Sequence, residues 1–247
     1  MTVTPSLSAQ RGGGEPDRPR RAVVVGASGG IGAALASAMA AQGFEVHGAA
    51  RSGAGLVPLD LTDGDSIAAA AATIGADGPI DRVIVATGLL QSASVKPEKR
   101  WRDLDPEILA QYFAINAIGP ALVAKHFLPL LAPDRRAVFA VLSARVGSIA
   151  DNRLGGWYGY RASKAALNML VKTLSIELAR SRPEAVCVAL HPGTVDTGLS
   201  RPFQRGIAPD RLFTPQVSAQ HLLAVLDRLG PDDSGGCFAW DGVRIAP

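Results

Sequence analysis

Tyr160 and Lys164 are the residues of this chain whose types and spacing most directly suggest catalysis. They open a predicted helix over residues 160–179, in the run Tyr-Arg-Ala-Ser-Lys. A four-residue spacing places the phenol and the ammonium on one helix face, one turn apart. An ordinary phenol has a pKa of about 10, and a neighbouring ammonium lowers it. The pair therefore predicts proton transfer at a substrate oxygen, although the same spacing is common on amphipathic helix surfaces.

A glycine-rich turn near the start of the chain predicts a phosphate site. The turn lies between a predicted strand, 21–26, and a predicted helix, 31–42, and it reads Gly26-Ala27-Ser28-Gly29-Gly30-Ile31-Gly32. Free N–H groups and partial positive charge at a helix N-terminus attract a pyrophosphate, and glycines let the backbone approach it. In this strand–turn–helix context the pattern favours dinucleotide binding over a tight turn without a ligand.

Arg51 indicates which dinucleotide this turn would bind. It follows the second predicted strand, 44–50, where an NAD-specific site usually carries Asp or Glu for the ribose hydroxyls. An arginine at that position can hold a 2′-phosphate through paired charged hydrogen bonds. The sequence therefore favours NADP(H) over NAD(H), with an ordinary surface arginine as the alternative.

The elements that must position these residues alternate between strands and helices. Further strands are predicted at 56–60, 82–86, 137–142, 185–190 and 236–240, and further helices at 65–74, 106–131 and 216–229. This alternation predicts βαβ units and an α/β fold with a Rossmann-type, doubly wound parallel sheet flanked by helices. We expect one domain over residues 21–247, because folds of this type often form single units of this size.

The predicted topology brings distant motifs together. Residues at the carboxyl ends of parallel strands converge on one crevice. The glycine turn follows the first strand, and His191-Pro192-Gly193-Thr194 follows the strand at 185–190. We therefore expect both loops and the Tyr160 helix to border the same crevice.

Together these motifs resemble the short-chain dehydrogenases/reductases from Ala22 to Gly242. The resemblance depends on the glycine turn, Asp60-Leu61, Asn116, Tyr160-x-x-x-Lys164 and the run 192–197, which reads Pro-Gly-Thr-Val-Asp-Thr. It is strongest toward the carbonyl-reductase subgroup that includes sniffer and C-factor proteins. The family implies hydride transfer between a nicotinamide and a small-molecule carbonyl or alcohol.

The resemblance also implies roles for individual residues. Tyr160 would be the acid–base group, Lys164 would lower its pKa and bind the nicotinamide ribose, Asn116 would hold a relay water, and a serine would orient the substrate oxygen. The remaining cofactor contacts implied are Gly26, Ser28, Gly29, Gly30, Ile31, Gly32, Arg51, Asp60, Leu61, Thr87, Gly88, Pro192, Gly193, Thr194, Val195 and Thr197.

Two positions depart from the family pattern. The family's serine usually stands three residues before a glycine, and that position is Ala144. Ser143 is the preferred substitute and Ser148 the second choice, although strand alternation would turn Ser143 toward the opposite face. The run Val85-Ala86-Thr87-Gly88 replaces the family's Asn-Asn-Ala-Gly, which affects support of the sheet more than chemistry.

The predicted substrate loop runs from about Asp196 to Pro215. Its length and its proline and glycine content suggest a mobile lid. Leu199, Phe203 and Phe213 suggest an apolar carbonyl compound, while three arginines would equally suit solvent or an anionic group. Trp157 and Tyr158 either line the pocket or pack the entrance of the helix.

Composition excludes several other classes of protein. The chain has 247 residues, of which 47% are hydrophobic, and a formal net charge of +3 that is concentrated in a basic tail over residues 1–20. We expect this tail to be disordered and solvated, and we expect no nucleic-acid binding because no aromatic residues interleave with it. The four histidines do not form a ligand pattern, so no metal site is predicted. No secretory or membrane-spanning segment is recognised, and a cytoplasmic protein with free buried thiols at Cys187 and Cys237 is expected.

Two functional hypotheses remain. The first is a reductase or dehydrogenase, supported by Asn116, Tyr160 and Lys164. The second is a dinucleotide-binding sensor with little or no turnover, for which Ala144 is the one supporting residue. Small and apolar residues on several faces of the helices at 106–131 and 160–179 are compatible with a homodimer or homotetramer.

Overall fold

Strands and helices alternate through residues 18–247, the part of the chain that the computed structural model describes. The strands are β1 (Arg21–Val25), β2 (Glu45–Ala50), β3 (Val57–Pro58), β4 (Arg82–Val85), β5 (Val138–Leu142), β6 (Val186–His191), β7 (Thr194–Val195), β8 (Leu212–Phe213) and β9 (Cys237–Ala239). The α-helices are α1 (Gly30–Ala41), α2 (Gly64–Gly75), α3 (Pro106–Phe113), α4 (Gly119–Phe127), α5 (Tyr158–Ser181) and α6 (Pro215–Arg228).

Seven parallel strands form the main sheet in the order β3-β2-β1-β4-β5-β6-β9. The chain runs outward from β1 to β3 and then returns to place β4 on the other side of β1, with Val23 opposite Val83. The strand order reverses at this point, so a crevice opens at the carboxyl ends of β1 and β4. The predicted α/β fold with a doubly wound parallel sheet is confirmed.

Alternating side chains of the buried strands enter two separate apolar layers. Val23 and Val25 of β1 face α2, α4 and α5, whereas Ala22 and Val24 face α1 and α6. Every residue of β1, β4 and β5 is buried. Because both faces of the sheet are covered, these strands are almost continuously apolar.

Side-chain caps define where three of the helices begin. Asp63 accepts hydrogen bonds from backbone N–H groups at the start of α2, Asp105 does so for α3, and Thr214 does so for α6. Pro106 and Pro215 stand in the first turns of α3 and α6, where a missing N–H costs nothing. These caps place the helix starts within one or two residues of the predicted positions.

The long helix predicted over 106–131 is interrupted. A π-helical turn, Ala114–Ile118, separates α3 from α4, and a short 3-10 turn, Leu128–Leu130, follows α4. The apolar pattern did not reveal the extra residue of a π turn, which is a frequent feature of functional sites. The pair of strands β7 and β8, one just before the predicted lid and one near its end, was also missed because each contains only two residues.

The structure bears on the predicted tail only at its end. Residues 1–17 lie outside the described part of the chain. Arg18 donates to Asp81, with both nitrogen–oxygen distances at 3.2 Å, and Arg20 lies 4.5 Å from the centre of the Phe44 ring. These two residues at the end of the predicted tail contact the domain, and the disorder of the tail stays a prediction.

One helical run, Pro106–Leu130, has the length and apolarity of a membrane-spanning helix. Its inner face contributes Val123, Ala124 and Phe127 to the main apolar layer against the sheet. Helices buried in the cores of ordinary domains have the same length and composition.

Candidate active site

A cavity of about 590 Å³ opens at the carboxyl edge of the sheet. Most of the predicted site residues line it: Gly26, Ser28, Gly29, Gly30, Ile31, Arg51, Asp60, Leu61, Thr87, Gly88, Ser143, Tyr160, Lys164, Pro192 and Thr197. Gly32, Asn116, Gly193, Thr194 and Val195 are not part of its wall and lie behind it or beside it. The structure therefore brings the separate motifs of the sequence to one crevice.

The glycine turn presents the start of α1 to this cavity. Gly26 has a φ of +91° and donates its N–H to Ala49 O at 2.7 Å. A Cβ on Gly32 would lie 2.1 Å from the carbonyl oxygen of Gly26, so any side chain there would force the turn open. Unlike α2, α3 and α6, helix α1 has no side-chain cap, and its first turn contains no acidic residue. Its first N–H groups are therefore free to bind an anion.

Charged and polar groups line another part of the cavity wall, beside the glycine turn. Asp60 accepts hydrogen bonds from the backbone N–H and the hydroxyl of Thr62, at 2.9 and 2.7 Å. These bonds lower the pKa of Asp60, and the positive charge of Arg51 adds to the effect. Arg51 itself is exposed and forms no ion pair with another residue in the described range. The hydroxyl of Thr87 is buried without a hydrogen-bond partner among residues 18–247.

Lys164 points toward the end of β5. Its Nζ donates to Leu142 O at 2.8 Å, and its side chain is 2% exposed. Burial lowers the pKa of Lys164 to about 8, although a weaker influence of Cys237 acts in the opposite direction. The lysine is thus predominantly charged at neutral pH while being held in an apolar environment.

The expected effect of Lys164 on Tyr160 is not found in this structure. Burial raises the pKa of Tyr160 to about 12. The prediction that the ammonium lowers this pKa was wrong for the protein as described, because the phenol is desolvated and the ammonium is directed at Leu142 O. Such a phenol is protonated at neutral pH and is a weaker acid than an ordinary phenol.

Asn116 lies in the π turn and is completely buried. Its Oδ1 accepts from Leu89 N at 2.7 Å, and its Nδ2 donates to Leu89 O at 2.8 Å. The same Nδ2 donates to the Ser163 hydroxyl, which in turn donates to Tyr160 O. Asn116 therefore connects the segment after β4 to the first turns of α5, behind the cavity wall.

The serines near the end of β5 have different surroundings. Ser143 lines the cavity, and its hydroxyl donates to Asn168 Oδ1 at 2.7 Å. Ser148 accepts from Asp151 N at 3.0 Å and stabilises a turn away from the cavity. Ala144 packs its methyl group beside the apolar cluster that contains Tyr160. Of the two predicted substitutes, only Ser143 is in the cavity wall.

The predicted lid is anchored next to Tyr160 by aromatic contacts. The Phe203 and Trp157 ring centres are 5.0 Å apart, and those of Trp157 and Tyr160 are 6.2 Å apart. At its base, β7 pairs with β8, and Gly193 has a φ of +77° where a Cβ would collide with Phe213. Trp157 and Tyr158 are not among the residues of the cavity wall, and Trp157 packs at the start of α5 between Tyr160 and the lid.

Sequence reasoning missed Glu98, which fixes the start of α5. This carboxylate is 3% exposed and accepts from Gly159 N at 3.2 Å, one residue before Tyr160. Its backbone oxygen accepts from Trp157 N. Nothing in its sequence position suggested this, because Glu98 and the helix are about sixty residues apart. Asn168 was also missed, although its spacing of four from Lys164 was a usable signal.

Among residues 18–247, one cluster of metal-ligand types occurs, at the other end of the sheet. The ligand atoms of Glu45, His47 and Asp77 lie within 4.8 Å of one another. Arg21 already occupies their centre, 2.9 Å from His47 Nε2 and 3.3 Å from Asp77 Oδ2. A guanidinium therefore supplies the positive charge that a metal ion would bring.

Comparisons with known proteins agree with this geometry. The family described as short chain dehydrogenase matches residues 20–207. The chain is 41% identical to the C-signal of Myxococcus xanthus over 144 residues, which covers 58% of this chain and 81% of that protein. It superposes on NADPH-bound carbonyl reductase from chicken fatty liver with a TM-score of 0.80, at 28% identity and 93% and 100% coverage. The carbonyl reductase Sniffer of D. melanogaster gives 0.79 at 25% identity, with the same coverage.

Proposed function

Because the chain belongs to the short-chain dehydrogenase family, we propose that it is an NADP(H)-preferring carbonyl reductase with Tyr160 as the proton donor. The observation that carries this proposal is that the two predicted motifs, the glycine turn and the Tyr160–Lys164 pair, line the same cavity. Tyr160 and Lys164 line the same cavity as the uncapped N-terminus of α1. One end can hold a phosphate group while the other can transfer a proton, as nicotinamide-dependent oxidoreduction requires.

The residues present fit a nicotinamide dinucleotide. The free N–H groups at Gly30, Ile31 and Gly32 would hold the pyrophosphate, and the unpartnered hydroxyl of Thr87 offers a further polar contact. Ser28, Gly29 and Gly26 would border the phosphates, Asp60, Leu61 and Gly88 the adenosine, and Pro192, Gly193, Thr194, Val195 and Thr197 the nicotinamide. When bound, the nicotinamide ring supplies or accepts the hydride.

Tyr160 would complete the reduction by protonating the substrate oxygen. The phenol is protonated at neutral pH, so its proton is available when negative charge develops on the oxygen, although burial makes it a weaker acid than an ordinary phenol. Lys164 would stabilise the phenolate that remains once its ammonium, one helical turn away, turns from Leu142 O toward Tyr160. Asn116 would keep the Leu89 segment and α5 in register, and a water beside it would return a proton from solvent.

Arg51 supports the preference for NADP(H). It lies directly after β2 at the cavity wall, and it is exposed and not committed to a partner within residues 18–247. A 2′-phosphate would give this guanidinium a bidentate partner. We expect Arg51→Gln to weaken NADPH binding about 10- to 100-fold and to leave NADH binding nearly unchanged, because paired charged hydrogen bonds contribute roughly 1.5–3 kcal/mol.

The substrate end favours an apolar carbonyl compound. Tyr160 packs in an apolar cluster with Leu90, Val146, Trp157 and Phe203, none of which carries a charge. The lid arginines stand farther out on the surface. Small-molecule carbonyl or alcohol substrates of this kind need little more than an apolar pocket and a positioned hydroxyl.

Location and assembly are further parts of the proposal. Cys187 and Cys237 are buried free thiols, as in proteins of a reducing compartment, which supports a cytoplasmic location. Ile118 in the π turn and Met169 and Ile176 on α5 are exposed apolar side chains, and they support a homodimer or homotetramer.

One experiment distinguishes the reductase hypothesis from the sensor hypothesis. The purified protein is titrated with NADPH and with NADH by nicotinamide fluorescence, and aromatic and aliphatic aldehydes and ketones are then added while absorbance is recorded. NADPH binding with oxidation that Tyr160→Phe abolishes would support the reductase. Binding without turnover on any carbonyl would favour the sensor, and absence of dinucleotide binding would contradict both.

A further inference from the structure

The buried Ser143 and the half-buried Asn168 form a hydrogen-bonded pair beside the proposed catalytic residues. Asn168 stands on α5 one turn after Lys164 and two turns after Tyr160, on the same helix face. The Ser143 hydroxyl donates to Asn168 Oδ1 at 2.7 Å, while Lys164 Nζ donates to Leu142 O at 2.8 Å. Two adjacent residues at the end of β5 are thus attached to two successive turns of α5.

The direction of the Ser143–Asn168 bond determines what Ser143 offers to the cavity. A hydroxyl has one proton and two lone pairs. In the arrangement described, the proton is given to Asn168, so only lone pairs remain for a ligand. A carbonyl oxygen that gains negative charge needs a donor and would find none at Ser143 in this arrangement.

Rotation of the Asn168 amide reverses this situation. An amide carries an acceptor on one side and donors on the other. Within the described part of the chain, Asn168 Nδ2 forms no hydrogen bond that would oppose a half turn. After that rotation Nδ2 donates to Ser143 Oγ, and the serine proton is released toward the cavity. Both arrangements retain one hydrogen bond, so the exchange costs little.

We propose that Asn168 is a positioning residue that turns the Ser143 hydroxyl into the second donor to the substrate oxygen. Ser143 would thereby replace the hydroxyl missing at Ala144, whose methyl group packs beside the Tyr160 cluster. The proposal rests on the proposed reductase function. An amide partner is required, because only a residue that can donate to Ser143 leaves its proton free for the substrate.

The decisive variant is Asn168→Asp. A carboxylate has nearly the same shape but only accepts, so it holds the Ser143 proton permanently. We expect kcat for carbonyl reduction to fall about 10- to 100-fold, as in Ser143→Ala, with KM changed less than threefold; the loss of an oxyanion donor is typically of this order or somewhat larger. Asn152→Asp, in an exposed turn, is the matched control and should retain wild-type kcat.

A double-mutant cycle separates this mechanism from a charge effect on Lys164. If Asn168 acts through Ser143, Asn168→Asp changes kcat less than twofold in the Ser143→Ala background. Ala144→Ser should restore much of the lost kcat in the same background, because it returns a hydroxyl to the family position. A fall of similar size with and without Ser143, or wild-type kcat in Asn168→Asp, would overturn the proposal.

A readout without turnover tests the pair itself. The side-chain amide signal of Asn168 in a ¹⁵N–¹H spectrum, identified by its loss in Asn168→Asp, should move when Ser143 is changed to Ala. An unmoved signal would overturn the pair whether or not the protein is a reductase. If the signal moves while the wild type reduces no carbonyl, the reductase function fails and Ser143 cannot be the substrate donor.

Discussion

At the glycine-turn end of the cavity, Gly26–Gly32, the wall is made of backbone N–H groups, whereas at the tyrosine end it is made of side chains from several elements. The first end depends on one short stretch of chain and on what a Cβ would strike. The second depends on α5, the end of β5, the π turn and the lid, which are brought together by folding. Binding and chemistry should therefore respond to different substitutions.

The largest difference between the effect on kcat and the effect on NADPH affinity is expected from Tyr160→Phe. Removal of the hydroxyl eliminates the proposed proton donor while the ring keeps its contacts with Tyr112 and Trp157. We expect kcat to fall about 10³-fold, within the usual range for a lost acid–base group, with the Kd for NADPH within twofold of wild type. Single-turnover absorbance and fluorescence titration measure the two quantities. A comparable loss of NADPH affinity would show that the two ends are not independent.

Gly32→Ala should weaken dinucleotide binding at the glycine-turn end of the cavity. Its Cβ would meet Gly26 O at 2.1 Å, so the backbone must move and the N–H groups of α1 lose their alignment. We expect the Kd for NADPH to rise at least about 100-fold, since a displaced turn and overpacking cost roughly 1–3 kcal/mol or more. Gly64→Ala in the first turn of α2 meets nothing within 4 Å and is the matched control. Equal affinity of the two variants would contradict this account of the turn.

We expect Lys164→Met to abolish activity and to increase the free energy of unfolding. Because burial lowers the pKa of Lys164 from 10.5 to about 8, the charged side chain costs the folded state at most about 3 kcal/mol at pH 7. We expect the variant to be inactive and more stable to urea at pH 7. The folded lysine loses its proton near pH 8 and the unfolded one near 10.5, so the gain should shrink across that interval.

Lys96→Met, at an exposed position, should show neither the stabilisation nor its pH dependence. A gain in the Lys164 variant that stays constant up to pH 11 would mean that lost packing, and not a buried charge, controls the effect.

The smallest effect is expected from Phe203→Ala in the lid. The ring contacts Trp157, and an aromatic pair contributes about 0.5–1.5 kcal/mol beyond its buried area. We expect KM for aromatic aldehydes to rise up to about tenfold, with NADPH affinity unchanged. Leu154→Ala, at a position 91% exposed, should leave KM as it is. An altered Kd for NADPH in Phe203→Ala would extend the lid's influence to the glycine-turn end.

The same contrast explains what the sequence could predict. The glycine turn, Arg51 and the Tyr160–Lys164 spacing are local patterns, and the sheet follows from alternating strands and helices, so these were accessible. The π turn at Asn116 was not, because an inserted helical residue leaves no clear mark on apolar spacing. Glu98 depends on a contact across sixty residues. The pKa of Tyr160 depends on burial, which spacing along a helix does not report.

The missing cap of α1 would also couple the stability of the folded protein to the proposed dinucleotide. Helix α1 packs with α6 on one face of the sheet, so loosening of its first turn exposes a core layer. A dinucleotide that binds only the folded form would add about 2.7 kcal/mol at a hundred times its Kd. Resistance to proteolysis would then follow the cellular supply of the reduced or oxidised dinucleotide. Starvation for that ligand would shorten the protein's lifetime before any change in its synthesis.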